Sequence, residues 1–359
     1  MEAPERKRAV NVAQLGEFDE IIDVRSPSEF AEDHVPGAVN CPVLDDAERA
    51  RIGTLYKQVS PFEAKKAGAA LVARNIARHL EERFRDRPRS WRPLVYCWRG
   101  GKRSGAMVHI LAQVGWDAQA LEGGYRAYRR AVIADLEQLP ARFRWRVVCG
   151  LTGTGKSRLL AALAGRGAQV LDLEELAQHR GSVLGNLPDR PQPAQKMLES
   201  LIWSRLRGFD PAAPVYAEAE SRKIGLLRLP ESLLTAMWAG DVVRLEMDVP
   251  GRVALLMEEY GHFLASPQLL ADKLDLLRRL YGEAVIARWK DLAARGEWRA
   301  LVAELLQAHY DPAYTRSTGS HYPRHDAGLL LRAAAGTREE FLRLAEQALR
   351  WQPQRQQAA

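Results

Sequence analysis

The stretch 147-VVCGLTGTGKSRLLAALA-164 runs from an apolar segment through a glycine loop into a helical pattern. Its centre, 150-GLTGTGKS-157, satisfies G-x-x-x-x-G-K-[ST]. A strand before it and a helix after it are the setting in which that pattern cradles phosphate. In a loop opened by Gly150, the backbone amides of Gly153, Thr154, Gly155 and Lys156 are expected to wrap a phosphate. The Lys156 ammonium reaches its oxygens, and the Ser157 hydroxyl offers a ligand to Mg²⁺. The cradle is legible; its guest is not, because any diphosphate fits it.

Strand candidates recur beyond this loop, at 168-AQVLDLE-174, 213-APVYAEAES-221 and 241-DVVRLEMDV-249, with helical segments between them. In nucleotide hydrolases a second strand supplies an acid for the metal. Asp172, Glu174, Glu218 and Glu220 are therefore candidate metal or substrate contacts, with solvated strand ends as the plain alternative. Arg222 and Lys223 follow a strand end and are candidate phosphate contacts; His179 and Arg180 are candidates for the same cleft. From about residue 250 the chain reads as largely helical. The stretch 311-DPAYTRSTGSHYP-323 reads as a polar loop, 337-TREEFLRLAEQALRW-351 as a last helix, and the tail QPQRQQAA as disordered.

Some fifty residues upstream, 95-VYCWRGGKRSGAMVHILAQVG-115 has the same layout, with a cysteine at the strand end. The thiolate is the reactive form of cysteine. Amides at a helix N-terminus, a backbone loosened by Gly100 and Gly101, and the charges of Arg99, Lys102 and Arg103 all favour an anion there. Cys97 is therefore a candidate nucleophile, against the plain alternative of a buried structural thiol. Cys41 lacks such a loop and reads as packing. Asp23 and Arg25 read as a structural ion pair, and His34 as a turn residue.

The chain has 359 residues, 47% of them hydrophobic and 27% charged, which suits two soluble α/β domains. Alternating strands and helices occupy 1–135, 136–144 reads as a linker, and 145–359 as a second α/β domain with a helical C-terminal extension. No apolar stretch approaches the ~20 residues of a membrane span. No apolar core follows MEAPERKRAV, so a signal peptide is not expected and a cytoplasmic location is. Three scattered cysteines match no zinc spacing or disulfide framework. The net charge of +7 permits a polyanionic partner.

The segments 22-IDVRSPSEFAEDHVPGAVNCPV-43, 96-YCWRGGKRSG-105 and 121-LEGGYRAY-128 resemble a rhodanese domain over almost all of 10–130. Between Cys97 and Ser104 the loop is one residue longer than in common sulfurtransferases, and the C-x5-R spacing from Cys97 to Arg103 equals that of rhodanese-like dual-specificity phosphatases, so a wider anion fits. With 150-GLTGTGKS-157, 172-DLEELAQHRGSVLG-185, 216-YAEAESRKIG-225 and 309-HYDPAY-314, the whole chain resembles the bacterial tRNA 2-selenouridine synthase family. That resemblance implies an N-terminal rhodanese-like parallel-sheet domain followed by a P-loop α/β domain. It implies a transferase that replaces sulfur of wobble 2-thiouridine, position 34 of tRNA, by selenium from selenophosphate, with S-geranylation by geranyl diphosphate as an associated step. Cys97 would carry an S-selanylcysteine intermediate, held by the loop amides with Arg99 and Arg103. The P-loop would hold the diphosphate of the geranyl donor, and Trp98 could stack on a base or simply pack. No tightly bound cofactor and no membrane are expected. Two other readings stay open. One is a sulfurtransferase or phosphatase fused to an NTPase acting on a non-tRNA substrate; the other is a non-catalytic RNA-binding scaffold.

Overall fold

The computed structural model describes residues 10–353 except 183, 323 and 324; the tail expected to be disordered lies, from 354 on, outside the described residues. The chain divides into two compact units, 1–135 with 194–204, and 136–193 with 205–359. The segment 136–144 carries the end of the helix Gly124–Gln138, the 3₁₀ turn Leu139–Arg142 and the start of the next strand, and buries Leu136, Pro140 and Phe143.

The first unit is built on strands β1 (Glu20–Asp23), β2 (Val39–Asn40), β3 (Pro93–Tyr96) and β4 (Gln119–Ala120), all parallel, in the order β2-β1-β3-β4. Parallel strands need crossover helices, which cover both faces and explain why the central strand PLVY is wholly buried. Ile22, Val24, Val95, Met107 and Leu111 form the core. Two serines flank the start of the helix Pro27–Glu32. Ser26 is the N-cap, in a capping box with Glu29, because Pro27 takes the first helical position where no N–H is needed. Ser28 instead donates to Asp46, 2.5 Å away. Asp23 and Arg25 form a fully buried ion pair at 2.6 Å, and His34 closes its turn on the Phe30 carbonyl.

The second unit continues with β5 (Arg144–Cys149), β6 (Gln169–Leu171), β7 (Pro214–Glu218), the hairpin β8 (Lys223–Ile224) and β9 (Leu227–Arg228), β10 (Asp241–Glu246) and β11 (Leu329–Arg332). Its parallel sheet has the order β11-β10-β5-β7-β6, so β5 is central and the P-loop leaves its carboxyl end. Strand β11 is an element the sequence pattern did not announce: 327-AGLLLRA-333 is a short apolar run without alternation. The helix Lys156–Ala164 and the helix Arg338–Arg350 share one core, with Leu159, Leu163, Phe341 and Leu344. The C-terminal helices bury a second core around Leu274, Ile286, Trp289 and Leu301. One expectation is overturned here. The polar stretch 311–321 is a helix, Asp311–His321, entered directly from a π-helical turn at Leu306–Tyr310. Pro312 lies just after the π turn inside this continuous helical run and brings no N–H; the Ala308 carbonyl four residues before it accepts from the Tyr281 hydroxyl at 3.2 Å.

Candidate active sites

In the first unit, the loop after β3 folds around the Cys97 sulfur. The Gly101 amide donates to Sγ at 3.3 Å and the Ser104 hydroxyl lies 3.3 Å from it. Burial pushes the Cys97 thiol up. The Ser104 hydroxyl and the amides of Ser104, Gly101 and Arg99 outweigh that, and the thiol ends below its ordinary value. Cys41 and Cys149 have no such nest: burial pushes both thiols up to about 12, at Cys149 against the smaller opposing pull of the Lys156 charge and a hydrogen bond from Tyr314. The nest is shaped by glycine. Gly100 is left-handed at φ +63°, and a Cβ there would come within 2.6 Å of the Leu121 carbonyl oxygen. The closing segment LEGGY lies against the loop, with the Tyr125 amide donating to the Cys97 carbonyl at 2.8 Å and Arg126 to that of Trp98.

The cations divide into two kinds. Arg103 is committed to Glu29 at 2.9 Å and so ties the active-site helix Lys102–Val114 to the helix Pro27–Glu32, rather than standing free for an anion. Arg99 is exposed and makes no ion pair among the described residues. Trp98 is 37% exposed and stacks on Tyr125, with ring centroids 5.3 Å apart, so one ring face packs and the other is open. Tyr125 donates to Asp33 at 2.8 Å, and Ser200 donates to the same carboxylate at 2.7 Å.

If the Ser104 hydroxyl holds the thiolate, Ser104→Ala raises the pH midpoint of Cys97 alkylation by iodoacetamide. At neutral pH it slows alkylation about fivefold, the worth of one hydrogen bond. Peptide mass spectrometry reads this directly; an unmoved midpoint removes Ser104 from the site.

In the second unit, Gly153 and Gly155 are left-handed (φ +82° and +88°), as a curled phosphate loop requires. The loop opens on a cleft of about 830 Å³ lined by Lys156, Ser157, Asp172, Glu174, Glu220, His179, Arg180 and Tyr314 among others. The Lys156 ammonium bonds to the Gly150 carbonyl at 2.9 Å and lies 5.5 Å from the Tyr314 ring centre. Thr154 turns its hydroxyl inward, onto the Leu151 carbonyl.

The four acids take different places. Asp172 caps the helix Leu173–Ala177 through the Glu175 amide. Glu218 is buried beneath and accepts from the Leu173 and Glu174 amides at 2.7 and 2.8 Å, so it is a support rather than a cleft residue. Glu174 accepts from Ser157 at 3.3 Å. Burial first, and then the charges of Asp172 and Glu259, push Glu174 up to about 7; burial first, and then the charge of Glu174, push Glu220 up to about 8. Arg222 and Lys223 do not reach the cleft. They stand at the β8–β9 hairpin, with Arg222 on Glu231 at 3.4 Å and over the Trp238 ring.

The raised value of Glu220 carries a sign for stability. The unfolded chain ionises this carboxyl in the ordinary range, and the folded chain only near pH 8. The folded state therefore binds the extra proton in between, and its stability falls as pH rises across that window. Glu220→Gln should raise the melting temperature by a few degrees at pH 8 and leave it nearly unchanged at pH 4, by calorimetry at both.

Beside the cleft lies a pocket with an almost wholly apolar lining, including Leu256, Met257, Phe263, Leu301, Leu305 and Leu306. It shares Thr152, Leu256, Tyr260 and Tyr310 with the phosphate cleft. Its volume of about 60 Å³ is well under the ~150 Å³ that holds one benzene.

Residues 143–273 match the family described as the tRNA 2-selenouridine synthase AAA domain, and 7–131 match the rhodanese-like domain. A tRNA 2-selenouridine synthase of Shewanella halifaxensis is 32% identical over 329 residues, covering 82% of this chain and 87% of that one. The chain belongs to the tRNA 2-selenouridine synthase family. The synthase of Bdellovibrio bacteriovorus is 33% identical over 83% of this chain and 88% of its own. For that of Nitrosomonas europaea the match is 34% identical and shorter, 67% of this chain and 63% of the relative. No helix among the described residues is long and apolar enough to cross a membrane.

Several family segments now have places. His179, Arg180, Glu220, His309 and Tyr314 all line the phosphate cleft. Sequence reading missed Ser104 as a sulfur ligand, the pair of buried Arg252 with Asp311, and the apolar pocket. The first two could have been suspected from the helix start after Cys97 and from the aspartate of HYDPAY. The pocket is assembled from apolar residues of several helices, which periodicity alone assigns to core.

Proposed function

We infer that this chain makes 2-selenouridine in tRNA, replacing the sulfur of wobble 2-thiouridine by selenium from selenophosphate. We further infer that the sulfur is first alkylated by geranyl diphosphate at the P-loop. Alkylation forms the sulfur–geranyl bond, breaks the carbon–oxygen bond to diphosphate, and releases the N3 proton. Hydrogen selenide then adds to C2, the C2–Se bond forms as the C2–S bond breaks, and its two protons pass to N3 and to the departing geranylthiol, a far better leaving group than the thiocarbonyl sulfur. What supports this order is the apolar pocket that shares a wall with the phosphate cleft. An almost wholly apolar lining offers little to hydrogen-bond a base edge or a ribose, whereas an isoprenoid chain needs no such partner. Lys156 would meet the charge growing on the leaving diphosphate. Ser157 with Glu174 and Glu220 supplies hard oxygen donors that suit Mg²⁺, which would neutralise part of that charge.

Cys97 is the group that would carry selenium, as an S-selanylcysteine: the S–Se bond forms as the Se–P bond of selenophosphate breaks, phosphorus keeps that electron pair and leaves as phosphite, and an external thiol reductant returns the selenium as selenide. The support for this is its amide nest and depressed thiol value. Arg99 would draw the selenophosphate anion, and the open face of Trp98 would stack an unpaired base of the anticodon loop. With tRNA as its substrate, the enzyme would act in the cytoplasm.

The test is nucleoside mass spectrometry on 2-thiouridine tRNA incubated with the protein, geranyl diphosphate and selenophosphate, separately and together. S-geranyl-2-thiouridine with the first and 2-selenouridine with both is the expected result. Leu301→Trp, which fills the apolar pocket, should raise the KM for geranyl diphosphate at least ~10-fold, the worth of about two methylenes, without weakening pyrophosphate binding. If geranyl diphosphate is inert while ATP is hydrolysed, the sulfurtransferase–NTPase reading replaces this one.

A further inference from the structure

The helix Asp311–His321 is fastened to the P-loop at two points of different character. At one, the Arg252 guanidinium, 1% exposed, bonds to the Thr152 carbonyl at 2.8 Å and grips both oxygens of Asp311 at 3.0 and 2.5 Å. A two-pronged pair with its guanidinium buried is a fixed joint, since breaking it strands the Arg252 charge, although Asp311 itself is half-buried. At the other, the Tyr314 hydroxyl accepts the Gly150 amide at 2.7 Å, and its ring faces the Lys156 ammonium. This second contact involves the group a phosphate must recruit. In this arrangement the Lys156 ammonium, which lines the cleft, bonds to its own loop's carbonyl at Gly150.

The helix enters from the π turn Leu306–Tyr310. A π turn carries a surplus residue and poorer hydrogen bonds, so it is a place where a helix can shift register at low cost. That turn also walls both cavities: Leu306 and Tyr310 line the apolar pocket, and His309 and Tyr310 line the phosphate cleft. At the far end of the helix, the Tyr322 hydroxyl lines the cleft, is 4% exposed, and has no hydrogen-bond partner among the described residues. A buried hydroxyl left so is costly, and a shift of the helix gives it a way to a partner. Finally, the apolar pocket at about 60 Å³ is too small for a hydrocarbon chain, so any chain that enters must move a wall.

We propose that Tyr314 is a gate that couples the two cavities. A diphosphate entering the loop takes Lys156 from beside the Tyr314 ring. The helix Asp311–His321 turns about the Arg252–Asp311 joint, and the π turn moves with it, opening the apolar pocket to the hydrocarbon chain of the same donor. This rests on the reading of the P-loop as a diphosphate site. It adds an order: head group first, chain second, so that water is kept from the apolar pocket until a donor is bound. Arg252 and Tyr314 are positioning residues in this scheme; neither touches the reacting carbon.

The test uses the full chain and inorganic pyrophosphate as probe, with calorimetric binding and backbone hydrogen exchange. The wild type is expected to bind pyrophosphate and, on binding, to exchange faster across 306–314. Tyr314→Leu should bind pyrophosphate about three- to tenfold more tightly, the range for releasing one hydrogen bond or one cation–π contact. It should also show the faster exchange before pyrophosphate is added. Tyr314→Phe keeps the ring and its packing and loses only the hydroxyl, so it serves if the leucine variant does not fold; it should also bind more tightly. A merely structural tyrosine would not give a gain in affinity on removal. If the wild type binds pyrophosphate but 306–314 is unmoved, or the Tyr314 variants bind no more tightly, the gate is wrong and the diphosphate reading survives. If the wild type does not bind pyrophosphate, both fall.

Discussion

Cys97→Ser is expected to cut 2-selenouridine formation at least ~10³-fold, the scale of losing a covalent nucleophile. The variant should leave S-geranylation within about twofold of wild type. The substitution is nearly isosteric at a site 4% exposed, and the Gly101 amide and Ser104 hydroxyl can serve a serine oxygen as they serve the sulfur. Stability is therefore not the reason for the loss. A hydroxyl does not ionise near neutral pH, even in a nest that lowers a thiol. The spared reaction follows from the fold, since Cys97 and the P-loop belong to different compact units. The measurement is wobble-nucleoside mass spectrometry with each donor. Normal selenation by the serine variant would return Cys97 to the class of packing residues.

Lys156→Ala is expected to do the converse. S-geranylation should fall ~10²–10³-fold, as it does when one preorganised charge facing a developing anion is removed. The Cys97 alkylation profile should not change. The loop itself is braced by Arg252 on Thr152, by Tyr314 on Gly150 and by Phe341 packed at Gly155, none of which needs the lysine. An alanine variant that geranylates at the wild-type rate would mean the diphosphate is held elsewhere. A variant that loses only ATP turnover would favour an NTPase.

The two predictions bear differently on what could be read in advance. Cys97, Gly100, Gly101 and the glycine pair Gly123–Gly124 lie in short contiguous runs, and their roles follow from backbone chemistry that neighbours in sequence impose on each other. Lys156 and Ser157 are legible for the same reason. The charged residues were harder. Arg103 has the spacing of an anion ligand yet spends its charge on Glu29, and Arg222 with Lys223 follows a strand but turns off along a hairpin. A guanidinium reaches several ångströms in any direction, so its partner is chosen by whatever the fold brings near. Glu218 and Glu220 are two residues apart on one strand exit. One supports the helix Leu173–Ala177 from below and the other faces the cleft, a difference that only the placement of that helix makes.

The stretch 311–321 shows the division most plainly. Its composition, DPAYTRSTGSH, is poor in strong helix formers, and local propensity favours a loop. It is helical because Asp311 is gripped by Arg252 and Tyr314 is held at Gly150, contacts 59 and 164 residues distant along the chain. Local sequence was enough for both glycine loops, the parallel α/β class and the pairing of a thiol site with a phosphate site, since each rests on residues within one turn or one strand of each other. The apolar pocket, the helix that walls it and the partners of Arg103 and Arg252 came from tertiary packing. They depend on which distant surfaces meet, and contact energies of a few kcal/mol outweigh propensities of a few tenths per residue.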